Sequence, residues 1–351
     1  MSGRRIKSLV NHCLYYSGVL WLWRWVNEVV LGRRQVIILA YHRIGQKSDR
    51  FLNMKMPPAL FEQHLAFLQK HFEIVALDDA YELLRAAKKK IKHPVVLTFD
   101  DGYVDNFKLL YPMLKKREVP ATIFLSTGNI ESGELLWWDR IVCLVFNAKV
   151  SELDLREFGL KRFSLKDEVA KSNACEELIA AVKRKQARER EQIIARMAAY
   201  LKCQANADDQ DRLMTWEEIQ SMNNGLVTFG AHGMTHTILT NLDPEAMRWE
   251  VQESQRMMQE RLGKAPEFYA YPNGRMADYN AQVMEILRNC GFKAALTLVD
   301  GKNYCGKKPN RYTLKRRLIT TNRDDHPAGR FSSADFAAEV LGVWDFLRKR
   351  K

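Results

Sequence analysis

The chain has 351 residues, 46% of them hydrophobic and 28% charged, with a formal net charge of +13. This balance excludes a disordered chain. It leaves one large α/β domain with a good core, or two small ones. The positive excess implies an anionic neighbour: nucleic acid, a membrane surface or a phosphorylated substrate.

The first element, residues 1–34, joins a basic start to an apolar stretch rich in Tyr15, Tyr16, Trp21, Leu22, Trp23 and Trp25. Arg24 and Glu28 interrupt it and no small-residue cleavage site follows, so it fits neither a signal peptide nor a membrane span. Two readings stay open: an interfacial helix on anionic lipid, with Arg4, Arg5, Lys7, Arg33 and Arg34 at its flanks, or a helix packed on its own domain. The C-terminal segment 326–351, a helix with a basic tail, repeats the aromatic-plus-basic theme and tips the balance toward a membrane surface.

Then strand and helix alternate. QVIILAYHRI (35–44) reads as a buried strand ending in His42, and PALFEQHLAFLQKHF (58–72) as a helix with Phe61, Leu65 and Leu68 on one face. FEIVAL (72–77) is a short strand and DDAYELLRAAKKK (78–90) a helix capped by Asp. VVLTFDDG (95–102) is a strand running into two carboxylates, Asp100 and Asp101. A helix broken at Pro112 follows, then the strand ATIFLS (121–126). Such alternation argues for parallel βα units. Between 138 and 212 it gives way to charged helical text, read as an insertion. Strands resume at LVTFGAHGMTH (226–236), EFYAYPNG (267–274) and AALTLV (294–299), each followed by helix or loop. The six cysteines form no CxxC pair and read as reduced thiols, as in a cytosolic or cytosol-facing protein.

Two adjacent carboxylates at a strand end need a cation or a shared proton. His232 and His236, four apart after another strand, share a face if they lie on a helical turn, so two imidazoles reach one ion. Strand ends in a barrel lie on one rim, and one carboxylate with two histidines is a facial metal site. Asp101 then binds the cation, and Asp100 stays anionic as a base.

TFDDG, then HGMTH, then YPNG, in this order on successive strands, resemble the polysaccharide deacetylase family (the NodB-homology domain, carbohydrate esterase family 4), over roughly residues 36–320. The resemblance implies an α/β fold: a distorted (β/α) barrel at 35–137 and 213–325, interrupted by the helical insertion 138–212. It implies one divalent metal, most often Zn²⁺, held by Asp101, His232 and His236. Asp100 matches the general base. YPNG matches the segment that supplies an oxyanion N–H, from Asn273 or its neighbour, with Tyr271, Pro272 and Gly274 lining the substrate and Trp138 offering a face to a sugar.

Two departures matter. The family often carries an Arg ahead of its Pro-Tyr-Gly turn to orient the base; here Tyr269, Ala270 and Tyr271 precede it and Arg275 follows. A late acid-supplying His is missing from LKRRLITT (314–321), with His326 just beyond in a polar loop. His42 resembles the N-terminal-strand His of the branch that includes poly-N-acetylglucosamine deacetylases; otherwise it is a satisfied core residue. His12, His64, His71 and His93 read as structural or solvated. The basic run 307–317 reads first as a solvated face.

The expectation is therefore a metal-dependent hydrolase that removes an N-acyl group, acetyl first, from an amino-sugar unit of a polysaccharide or lipid-linked glycan, at the cytosolic face of the inner membrane. The alternatives are a deformylase or ester hydrolase on a polyprenyl-linked sugar, and a catalytically degenerate carbohydrate-binding member of the fold. Nucleic acid is not expected as a partner, since no helix-turn-helix, zinc-finger or RNP-like pattern is present.

Overall fold

The structure, a computed structural model, describes residues 3–46, 54–86, 91–205, 209, 211–306, 310–321 and 331–345. His326 and the tail 346–351 lie outside the described residues, as do 307–309 of the basic run. Ten strands form one sheet: β1 (Gln35–Tyr41), β2 (Glu73–Ile74), β3 (Pro94–Phe99), β4 (Ala121–Leu125), β5 (Val227–Ala231), β6 (Phe268–Ala270), β7 (Ala294–Thr297), β8 (Asn303–Tyr304), β9 (Leu314–Lys315) and β10 (Arg317–Leu318). The path β1-β3-β4-β5-β6-β7 is parallel throughout. β9 pairs with β7 and β10 pairs with β1, both parallel. One short segment, 314–318, thus joins the last strand to the first, and Arg316 sits at the seam. The sheet is a nearly closed barrel, the α/β architecture that the alternation of strands and helices implies.

Side chains alternate across each strand. One face contributes Val36, Ile38, Val96, Phe124, Ala270, Leu296 and Leu314 to a single apolar cluster, into which the helix Leu77–Ala86 inserts Leu77, Ala80, Leu83 and Leu84. The other face, with Ile37, Leu39, Tyr41, Val95, Leu97 and Phe99, packs against outer helices such as Pro58–His71. At period two, Thr98 and Asp100 share the face of Val96, and His42 shares that of Val36. The polar groups therefore cap the inner cluster at the strands' C-terminal ends.

The stretch between β4 and β5 is less uniformly helical than its charged text suggests. It holds the helices Trp137–Asn147, Glu168–Val182 and Ala187–Leu201, but also an antiparallel pair, Glu152–Asp154 with Arg162–Ser164. The N-terminal helix Gly3–Tyr16 is packed on the chain's own body: Ser8 Oγ and Asn11 Nδ2 each donate to Asp335 at 2.9 Å, and Trp344 Nε1 donates to Asn11. Among the described residues no helix is long and apolar enough to cross a membrane.

Candidate active site

Because β1, β3, β5 and β6 are parallel, the residues just past their ends share one rim. His42, Asp100, Asp101, His232, His236 and Asn273 all line one cavity of about 280 Å³ there, together with Trp137, Trp138, Lys183, Arg190 and Arg275. Tyr271, Pro272 and Gly274 do not line it. Tyr271 is fully buried, and its hydroxyl donates to the Tyr312 carbonyl at 2.9 Å, so it serves the core beneath the turn.

Asp101 and the two histidines converge. The Asp101 Oδ1 atom lies 3.5 Å from His232 Nε2 and 3.2 Å from His236 Nε2. One ligand atom from each of the three lies within 4.8 Å of the others. Burial alone would raise the Asp101 pKa; His236, His42 and His232 overcome this and hold it well below the usual carboxylate range. His232 donates from Nδ1 to the Ala270 carbonyl at 2.7 Å, which turns the Nε2 lone pair toward Asp101. Burial pushes its pKa down to about 4, so it is neutral at physiological pH. Both Asp101 oxygens are buried without a hydrogen-bond donor. A buried carboxylate whose oxygens lack donors, facing two imidazoles, is costly by itself and fits a divalent cation.

The histidine pair is not on a helical turn. Residues 232–236 are a loop, and the side chains meet because the backbone is bent: Gly233 has φ 80° and His236 φ 53°. Six non-glycine residues have left-handed φ among those described, and three are in this cavity: Asp101 (77°), His236 (53°) and Asn273 (63°). Such strain persists where the surroundings over-determine it, often at functional positions. Here the clamps are visible. Glu250 Oε2 accepts from the backbone N–H of Met234 at 2.7 Å and of Thr235 at 3.1 Å. The Thr127 and Gly128 N–H groups donate to the Gly233 and Met234 carbonyls. Asp278 Oδ2 accepts from the Arg275 N–H at 2.7 Å and from Asn273 Nδ2 at 2.5 Å. At Gly102, φ is 84° and a Cβ would meet Leu125 Cδ2 at 2.9 Å, so only glycine turns the chain after the acid pair.

Asp100 is held by a residue that the sequence reading passed over. Arg316 forks onto it, with Nη1 donating to Oδ1 at 2.7 Å and Nη2 to Oδ2 at 2.8 Å. Arg316 is fully buried, donates further to Thr98 Oγ1 and the Thr297 carbonyl, and lies over Phe124. Burial pulls the Asp100 pKa up, but Arg316, with His232 and His42, brings it below its ordinary value. Arg275, weighed above as the orienting arginine, is exposed and makes no ion pair among the described residues. The available signal was LKRRL itself: two arginines in a short strand, one of which must point inward. His42 Nε2 is 4.0 Å from Asp100 Oδ2, and its Nδ1 is buried without a partner. The Asn273 backbone N–H has no protein acceptor among the described residues. Trp138 lies edge-on to His236 at 4.5 Å and donates from Nε1 to the Tyr103 hydroxyl, which donates to Asp139 at 2.6 Å.

Fold and site together define an α/β barrel with an acid–imidazole cluster beside a second, arginine-held acid on its C-terminal rim. A family model described as polysaccharide deacetylase matches residues 87–295, and the chain belongs to the polysaccharide deacetylase family. YxkH of Bacillus subtilis (strain 168), a protein named for that family, is 36% identical over 94 residues, 26% of this chain and 32% of its own. The chain thus spans about a third of the length of that curated relative. Among solved structures, the Streptococcus pyogenes deacetylase PplD in complex with acetate matches with a TM-score of 0.56 at 20% identity, over 83% of this chain and 94% of that one. IcaB from Ammonifex degensii matches at 0.55 and 19%, over 87% and 97%. A de-N-acetylase from Aggregatibacter actinomycetemcomitans matches at 0.52 and 15%, over 87% and 100%. At these identities the likeness concerns the fold.

Proposed function

We propose that this protein is a metal-dependent hydrolase that removes an N-acyl group, acetyl first, from an amino-sugar unit of a polysaccharide or lipid-linked glycan. The observation that carries the reading is the convergence of Asp101, His232 and His236 beside an Asp100 whose oxygens are both held by Arg316. PplD, solved with acetate, and the Aggregatibacter de-N-acetylase lend it chemical direction.

In this reading Asp101, His232 and His236 hold one divalent ion, with Zn²⁺ suited to the donor set. What a bound ion supplies is Lewis acidity, which lowers the pKa of water toward ~7 and polarises an amide carbonyl. Asp100, kept anionic by Arg316, takes the proton of the attacking water. The Asn273 N–H donates to the oxygen on which charge develops. His42 returns a proton to the departing amine as the carbon–nitrogen bond breaks, giving a free amine and a carboxylate. Trp137 and Trp138 offer apolar faces to the sugar.

The test is release of acetate, with formate scored in parallel, from N-acylated glycan oligomers and lipid-linked donors by zinc-loaded protein. Absence of either product with every amino-sugar donor ends the hydrolase reading.

The reading extends to a place of work. Ten of the fifteen exposed large apolar side chains among the described residues fall between positions 6 and 31, including Leu9, Leu22, Trp25 and Val30. Exposed Arg5 and Arg33 flank them. An apolar face edged by basic residues suits the surface of an anionic bilayer. The six cysteines, all free, agree with the cytosolic side.

A further inference from the structure

The cavity wall carries more positive charge than its acids use. Asp100 is matched by Arg316, and Asp101 faces the two imidazoles. Lys183, Arg190 and Arg275 remain on the same wall, and none of the three is in an ion pair among the described residues. Two come from the segment between β4 and β5. Lys183 directly follows the helix Glu168–Val182, and Arg190 is on Ala187–Leu201.

These cations are not solvated bystanders. Lys183 Nζ donates to Asn273 Oδ1, the turn residue of the active rim. Burial and then the charge of Arg275 lower the Lys183 pKa. Arg190 is 3% exposed. It donates from Nη2 to Thr237 Oγ1 at 2.7 Å, lies over Trp137 at 5.2 Å and leaves its buried Nε without a partner. The acid acting on Lys183 is Asp278, whose Oδ2 accepts from the Arg275 N–H and Asn273 Nδ2. Glu191 and the buried Glu250 act on Arg190, but no ion pair joins them to it among the described residues. A buried guanidinium N–H without an acceptor is costly, and an oxyanion entering the cavity would meet three cations that no carboxylate pairs directly among the described residues. Arginine and lysine together suit a phosphate or carboxylate oxyanion.

We infer that Lys183, Arg190 and Arg275 form a subsite for an oxyanion carried by the substrate, so that the preferred substrate is an anionic amino-sugar glycan, phosphorylated or uronate-bearing, rather than a neutral polymer. This rests on the deacetylation reading for its substrate class, but the subsite itself is tested by binding. A neutral chain would leave the cations unmatched; an anionic one is also steered into the cleft by them.

The test measures binding of glucose 1-phosphate, glucuronic acid and glucose to the zinc-loaded full chain by calorimetry. None of these probes has an amide, so turnover does not interfere. Either anionic probe should bind at least ~10-fold more tightly than glucose at low salt, and the advantage should shrink as NaCl is raised. The two arms distinguish phosphate from carboxylate. Lys183→Met combined with Arg275→Gln should remove most of the advantage, whereas Lys183→Arg should keep it. Arg275→Gln alone, at an exposed position, should fold normally and lower the ratio part of the way. Equal binding of all three probes by the wild type overturns the inference. So does a preference that survives undiminished in Lys183→Met with Arg275→Gln, since two of the three proposed cations are then gone. Acetate release from neutral oligomers without any anionic preference sinks the subsite and leaves the hydrolase. A charge-dependent preference without any amide hydrolysis does the reverse.

Discussion

Asp100 gives both oxygens to one guanidinium, which fixes its plane and its charge together. Lysine at position 316 would keep a charge but lose the fork. Arg316→Lys should lower kcat about 10–100-fold with zinc content unchanged, the size of effect expected from misplacing a catalytic group. Its pH profile should change as well. Arg316 lowers the Asp100 pKa, so loss of the fork raises it, and the acidic limb of kcat/KM should move to higher pH. An unmoved limb would show that Arg316 does not set the charge of the base. Asp100→Asn should retain zinc and lose ~10²–10⁴ in kcat, the span of general-base effects. Asp101→Ala should lose the zinc itself, read by metal analysis after gel filtration. At this scale the sequence was informative wherever two special residues were neighbours, as in DDG or HxxxH. Arg316 was not legible because its partner is 216 positions away. A buried arginine and a solvated one look alike until the strand is placed.

Loop geometry depends on elements behind the rim. The long helix Pro244–Leu262 carries Glu250, whose Oε2 accepts two consecutive backbone N–H groups of the histidine loop. In Glu250→Ala both acceptor oxygens are gone, so this clamp is lost and His236 is freer to leave its left-handed conformation. Zinc affinity should fall ~10–100-fold, the usual cost of losing support behind a ligand, in a competition titration with a chromophoric chelator. The helix Trp137–Asn147 supplies Asp139, whose carboxyl is pushed up to about 7, chiefly by burial. Tyr103 and Arg43 act against that shift, while Asp101 and Asp211 add to it. Since the folded pKa lies above the unfolded value, the native state binds the extra proton between about pH 4 and 7, and stability falls as pH rises through that window. Asp139→Asn should flatten this dependence and gain on the wild type toward neutral pH. Asp139 keeps some solvent contact, which limits the gain to on the order of 1–2 kcal/mol. Urea melts at pH 5 and pH 8 measure it. The helices and strands themselves were readable from periodicity. How the loop at 232–236 brings its histidines together was not legible, because spacing alone cannot distinguish i,i+4 on a helical turn from a bend closed by Gly233.

For the whole molecule, barrel closure depends on a five-residue segment, and a surface role on the first thirty or so. Alternation of strand and helix revealed the parallel sheet, but not that β9 and β10 split one stretch between β7 and β1. Two-residue strands carry too little pattern to be read. The N-terminal segment was legible as amphipathic, and it both docks on Asp335 and leaves an apolar face exposed. If that face meets lipid, the full chain should co-sediment with vesicles containing phosphatidylglycerol but not with phosphatidylcholine alone, and salt should release part of it. Leu22, Trp25 and Val30 are 59%, 52% and 61% exposed. Replacing all three with serine should therefore barely change the melting temperature, since exposed sites away from the core shift stability by about 0.5 kcal/mol or less each. The same triple variant should lose most vesicle binding, because each large apolar side chain removed from the interface forgoes ~1.5–3 kcal/mol at full burial. A wild type that stays in the supernatant at low salt, or a triple variant that still pellets, would mean that the exposed apolar face serves something other than a bilayer.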